Sequence, residues 1–144
     1  MAIYVRRSEK ADALADIPLF SNLTNKERME LARHVDEVAV TEGTVLTEQG
    51  TSGDAFYLIV DGTAVVKRSG TKIAELGAGD AVGEMALLDG EPRSATVVMT
   101  SDGTVLTMPR PEFRGVLKDF PSISHKMLVS MSLRLREANS KLVG

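Results

Sequence analysis

The chain has 144 residues, of which 43% are hydrophobic and 26% charged, a composition that supports one packed domain and argues against wholesale disorder. Lys and Arg number 17 against 20 Asp and Glu, a net charge of −3, so the basic excess of a domain that grips nucleic acid by its phosphates is missing. Cysteine is absent, which excludes disulfides, zinc ribbons, iron–sulfur sites and thiol catalysis, and two histidines, His34 and His125, are too few for a histidine-rich metal site.

The first residues, Met1 to Arg7, lack the basic-then-apolar order of a secretory signal, and no apolar run approaches the roughly 18–20 residues of a membrane span. The expectation is a cytoplasmic single domain over 1–144. Residues 9–36 read as helical. Leu19, Phe20 and Leu23 form an apolar cluster, Thr24 is an N-cap with Glu27 completing a capping box, and Met29, Leu31, Ala32 and Val35 follow at helical spacing.

Residues 37–108 are short β-rich runs cut by turn signals. Asp61-Gly62 and Ser69-Gly70 each predict a hairpin, because both sites tolerate positive φ. Gly77–Asp80 and Ser101–Gly103 break the chain again, and strands of this length point to a sandwich, jelly roll or barrel. Lys67, Arg68 and Lys72 read as charged protection of an edge strand. Met99, Met127 and Met131 read as packing residues, and both histidines as surface or satisfied structural groups.

Residues 110–143 return to helix, with Pro109 and Pro111 opening a short one and Pro121 a longer one. Leu128, Met131, Leu135, Ala138 and Leu142 are spaced as a heptad seam, which packs either on the chain's own barrel or against a partner helix.

Chemistry concentrates in residues 83–97, Gly-Glu-Met-Ala-Leu-Leu-Asp-Gly-Glu-Pro-Arg-Ser-Ala-Thr-Val. Gly83 lets backbone approach something closely, and a short helix after it would aim free N–H groups outward. Arg93 enters a half-buried strand and needs an anion: Glu84 or Glu91 of the protein, or a bound phosphate.

This segment resembles the phosphate-binding cassette of the cyclic nucleotide-binding domain family: Gly-Glu, an aliphatic residue, Ala-Leu, another aliphatic, three variable residues, Pro-Arg, a small residue and Ala. Leu46–Gly50, Phe56–Gly62, Gly77–Asp80 and Ile17–Phe20 resemble the family's other signatures in order, so the likeness covers residues 12–143. One departure is Val82, where an aromatic residue is common. The resemblance implies a mainly β fold with flanking helices: a β-roll or jelly-roll barrel with N-terminal helices, a cassette at 83–95, a short C-terminal helix and a long lid or dimerisation helix.

It also implies roles. Arg93 would pair with the cyclic phosphate, helped by backbone N–H groups near Ala86 and Leu87. Glu84 would accept from the ribose 2′-hydroxyl, Gly83 would allow close approach to the sugar, and Ser94 would bond phosphate or purine. Met85 and Ala95 complete the ligand-contacting cassette. On the resemblance to the catabolite-activator branch, Arg134 faces the cassette glutamate and Asn139 reaches the purine edge; the alternative is that both lie on a solvated helix face. The implied function is a cAMP sensor, with cGMP as the other candidate ligand and no further cofactor or metal. It would not be an enzyme, since no metal ligands and no nucleophile–base pair can be found. Its partners would be the nucleotide, a second copy through the long helix, and an effector the sequence does not name, with neither nucleic acid nor membrane bound by this chain. The alternatives are a ligand-free β-roll dimerisation or interaction module, and the excised regulatory domain of a larger cAMP- or cGMP-responsive protein.

Overall fold

A computed structural model describes residues 7–84 and 86–143, with backbone alone at Ala86 and residues 140–143. The N-terminal block holds α1 (Arg7–Leu14), a 3-10 turn (Pro18–Phe20) and α2 (Asn25–Ala32). Thr24 caps α2 as the sequence predicts. Its hydroxyl accepts the Glu27 N–H at 3.2 Å, and the Glu27 carboxylate accepts the Thr24 N–H at 2.8 Å.

Eight strands follow: β1 (Asp36–Val40), β2 (Val45–Thr47), β3 (Ala55–Asp61), β4 (Ala64–Arg68), β5 (Thr71–Leu76), β6 (Ala81–Val82), β7 (Thr96–Met99) and β8 (Gly103–Pro109). A short helix, α3 (Ala86–Asp89), sits between β6 and β7, and α4 (Arg110–Asp119) and α5 (Pro121–Val143) complete the chain. The strands form two four-stranded antiparallel sheets, ordered β1-β8-β3-β6 and β2-β7-β4-β5. This is a jelly-roll-like pair of sheets with flanking helices, not a closed barrel.

Ser69-Gly70 closes the hairpin of β4 and β5, with φ of 51° and 82° at its two residues. Asp61-Gly62 does not close one. β3 pairs with β6 and β8, while β4 pairs with β5 and β7, so this dipeptide carries the chain from one sheet to the other. Gly62 is required there by packing: a Cβ would lie 2.9 Å from the Asp102 carbonyl oxygen. Local turn chemistry marks the bend, but the strands' partners decide whether it becomes a hairpin.

Alternation along β3 divides the core. Phe56 and Leu58 face the helices, joining Phe20, Leu31, Leu106, Met108, Phe113, Ile123 and Met127 in one buried cluster. Ile59 faces the opposite sheet, with Leu46, Ala64, Val97, Met99 and Val105. Phe20 meets Phe56 edge-on at 5.9 Å and Phe113 at 6.3 Å, tying the N-terminal turn, the sheet and α4 together. Met99 and Met127 are buried packing residues, as expected, and His34 binds Glu112 of α4 at 2.7 Å. β5 is an edge strand, with Lys67 and Lys72 exposed beside it.

The first half of α5 is held to α2 through Glu27. This carboxylate accepts hydrogen bonds from Lys126 Nζ at 2.6 Å and Ser122 Oγ at 2.7 Å while keeping its place in the capping box. Burial works against its charge, but the donors Lys126, Thr24 and Ser122 outweigh it and hold the carboxyl down at about 2. A folded-state value below the unfolded one stabilises the fold above the ordinary carboxylate range, and the contribution is lost as pH falls toward the lowered value. Chemical denaturation of wild type against Glu27→Gln should therefore give a difference of about 1–2 kcal/mol, constant above pH 5 and shrinking between about pH 4.5 and 2. A difference that does not change with pH would show that the carboxylate's charge plays no part.

Candidate functional site

Gly83 to Ser94 leave β6, turn through α3 and return to β7. The returning arm is stitched to the loop between β2 and β3: the Arg93 N–H donates to the Thr51 carbonyl at 2.7 Å, the Gly50 N–H donates to the Arg93 carbonyl at 2.9 Å, and Ser52 bridges Pro92. These bonds fix the backbone from which the Arg93 side chain projects.

The guanidinium of Arg93 donates to the Ala55 carbonyl and, at 3.5 Å, to the Gly83 carbonyl. It is half-buried, and among the described residues it has no carboxylate within 4.0 Å, so the internal ion pair to Glu84 or Glu91 does not form. Burial pulls its pKa below the ordinary arginine value, with Tyr57 and Asp54 acting in the opposite direction. The group nevertheless stays a cation at any physiological pH.

Gly83 makes this geometry possible. Its φ is +79°, and a Cβ there would lie 1.9 Å from an Arg93 guanidinium nitrogen. A second arginine sits in the same way on the far side of the segment. A Cβ at Gly90 would lie 2.1 Å from a guanidinium nitrogen of Arg110, the first residue of α4, whose N–H donates to the Asp54 carbonyl at 2.6 Å. The Arg110 Nε is buried with no hydrogen-bond partner among the described residues. Two glycines of the segment thus each lie under a guanidinium, one facing the cavities and one belonging to the C-terminal helices.

Adjoining cavities meet at Arg93. One of about 270 Å³ is lined by Val66, Arg68, Leu76, Val82, Gly83, Arg93, Ser94 and Ala95 among others. Another of about 300 Å³ is lined by Gly83, Glu84, Asp89, Glu91, Pro92, Arg93 and Ser94. Together they reach the roughly 300–1,000 Å³ typical of small-ligand pockets. Their walls are apolar on the β4–β5 side and polar at the segment, a layout suited to a small anion carrying a flat apolar group.

The structure brings Gly83, Glu84, Arg93, Ser94 and Ala95 together around these cavities. Leu87 is buried in the core, and its N–H donates to the Glu84 carbonyl at 3.3 Å, so that donor is used within the turn and is not free as expected. Ala86 opens α3, and Met85 lies outside the described residues. Arg134 and Asn139 are not brought to the site. Both are exposed because the second half of α5 extends past the packed body, and Arg134 lines a separate surface groove with Leu128, Met131, Ser132 and Leu135. The described residues contain no group of three or more His, Cys, Asp or Glu placed to hold a metal, and no helix long and apolar enough to cross a membrane.

Residues 37–120 match the cyclic nucleotide-binding domain family. The chain is 38% identical over 114 residues to a cAMP-dependent protein kinase regulatory subunit of Yarrowia lipolytica, covering 78% of this chain and 30% of that protein. It is 34% identical over 111 residues to a cyclic nucleotide-gated potassium channel of Rhizobium etli, covering 77% of this chain and 31% of that one. The N-terminal domain of a transcriptional regulator from Streptomyces coelicolor superposes with a TM-score of 0.82 at 28% identity, over 90% of this chain and 96% of that one.

The chain belongs to the cyclic nucleotide-binding domain family. It spans about a third of the length of these curated relatives. The segment Gly83–Ala95, which resembles the family's phosphate-binding cassette, joins β6 to β7 within the matched residues.

Sequence reasoning overlooked some neighbours of this cassette. Asp54 and Tyr57 act on the Arg93 charge from β3 and the loop before it, and Arg110 grips Gly90 from α4. Neither relation has a local signal, since each joins positions more than 15 residues apart. Arg68 could have been found: it lies two residues beyond Val66 on the same strand, and alternation puts both on one face.

At Gly83, alanine would meet the movable end of the Arg93 side chain together with a backbone angle that favours glycine. Gly83→Ala should lose about 1–2 kcal/mol in chemical denaturation. An unchanged midpoint would show that the backbone relaxes there without strain.

Proposed function

We propose that this domain is a non-catalytic sensor whose ligand is cAMP and whose output is a rearrangement of α4 and α5. The observation that carries the reading is Arg93: a half-buried cation held on two backbone carbonyls, with no carboxylate against it among the described residues, where three cavities adjoin. A guanidinium left in this state is completed by an anion with paired oxygens, which a cyclic phosphate supplies. The names of the Yarrowia and other fungal relatives, cAMP-dependent kinase regulatory subunits, support cAMP as the nucleotide.

In this reading Arg93 takes the phosphate oxygens and Ser94 adds a hydroxyl. Glu84, lining the same cavity as Arg93, accepts from the ribose 2′-hydroxyl. Ligand shifts the helices only by binding one of their arrangements more tightly. The Arg110–Gly90 contact gives α4 a direct grip on the cassette, so a change in the cassette is felt at the start of the C-terminal helices. Arg134 and Asn139 would reach the nucleotide only after α5 moves over the cavity.

The exposed face of α5 from Leu128 onward supports a homodimer. Leu128, Leu133 and Leu135 are more than 60% exposed, and Leu128, Met131 and Leu135 share one groove. An exposed leucine seam at heptad spacing is the surface of a helix with a partner. Sedimentation velocity should find a dimer, and a monomer at every concentration would leave the seam without this role.

Arg93→Ala should abolish calorimetric cAMP binding while keeping the far-UV spectrum, and Glu84→Ala should weaken binding to cAMP but barely change binding to its 2′-deoxy analogue. If Arg93→Ala unfolded the chain, or kept its affinity, the phosphate reading would fall to a structural one.

A further inference from the structure

Resting on the nucleotide reading above, we infer that Arg68 is a base-reading residue that lets this site accept cGMP beside cAMP. Arg68 ends β4 next to the Ser69-Gly70 turn and lines the same cavity as Arg93, but at its outer rim, where Arg93 lies inside against Gly83 and Ala55. Val66 and Leu76 add apolar lining to the same cavity. With the phosphate on Arg93, the flat apolar space along Val66 and Leu76 is what remains for the purine, and Arg68 stands at that purine's outer edge.

The Arg68 Nε donates to the Ser94 carbonyl at 3.3 Å, which ties the side chain to the returning arm of the segment, and the residue is exposed where it lines the cavity. An arginine fork has donors only. Guanine presents two acceptors along its outer edge, O6 and N7, and matches the fork with two hydrogen bonds. Adenine presents N7 beside an amino donor, so it offers one acceptor and sets its amino group against the guanidinium. Arg68 therefore contributes more to a guanine ligand than to an adenine one. Lys67 and Lys72 do not line the cavity and remain edge-strand charges.

The test is calorimetric titration of the full chain and of Arg68→Ala with cAMP and cGMP, with circular dichroism confirming each fold. Arg68 is exposed, so its loss leaves the core untouched. Arg68→Ala should weaken cGMP by about tenfold or more while cAMP moves by less than about threefold. Arg68→Gln, whose amide matches adenine N6 and N7, should shift the ratio toward cAMP at least as far. Equal losses for both nucleotides would overturn the inference by placing Arg68 on the shared phosphate, and no change in either would overturn it too. A wild-type chain that binds neither nucleotide would instead overturn the nucleotide reading itself, a result distinct from an unmoved ratio.

Discussion

Burying part of a guanidinium without a carboxylate against it costs free energy, and the structure around Arg93 is arranged to hold that charge without cancelling it. The two carbonyl acceptors, Ala55 and Gly83, satisfy donors but leave the positive charge intact. The Asp54 carboxylate favours the cation from a distance without forming an ion pair to it. The glycine at 83 removes the side chain that would otherwise fill the guanidinium's place. Had Glu84 or Glu91 folded back onto Arg93, the fold would gain an internal pair and the cavity would lose its attraction for an anion.

The rest of the molecule serves to hold this cation in place and to link it to the helices. The phenylalanine cluster joins the 3-10 turn, β3 and α4, while Glu27 fastens α2 to the first turns of α5. Beyond Ser130 the long helix has little of its surface against the body. One half of α5 is thus anchored to the body, and the described part of the other is mostly exposed. Arg110, the first residue of α4, stands with its guanidinium over Gly90, where the segment between β6 and β7 meets this helical unit.

Much of this was legible in the sequence because it is local. The Thr24–Glu27 capping box, the Ser69-Gly70 hairpin and the proline-marked starts of the C-terminal helices are all written within a few residues. What failed to read was non-local. Asp61-Gly62 has hairpin chemistry, yet β3 finds its partners 20 and more residues away, and the turn becomes a crossing between sheets. Leu87 was expected to offer a free N–H, but the tight turn after Glu84 uses it. Only the likeness to the catabolite-activator branch points Arg134 and Asn139 at the ligand, and their position depends on where a long helix lies, which no spacing along the helix determines.

The central claim is that the Arg93 cation is kept for a phosphate, and it is tested most directly by titrating folded, nucleotide-free protein with cAMP and with adenosine in parallel calorimetric experiments. Binding of cAMP at micromolar concentration or tighter, with no measurable heat from adenosine, is the predicted result. Equal affinity for the two, or no binding of either, would contradict it.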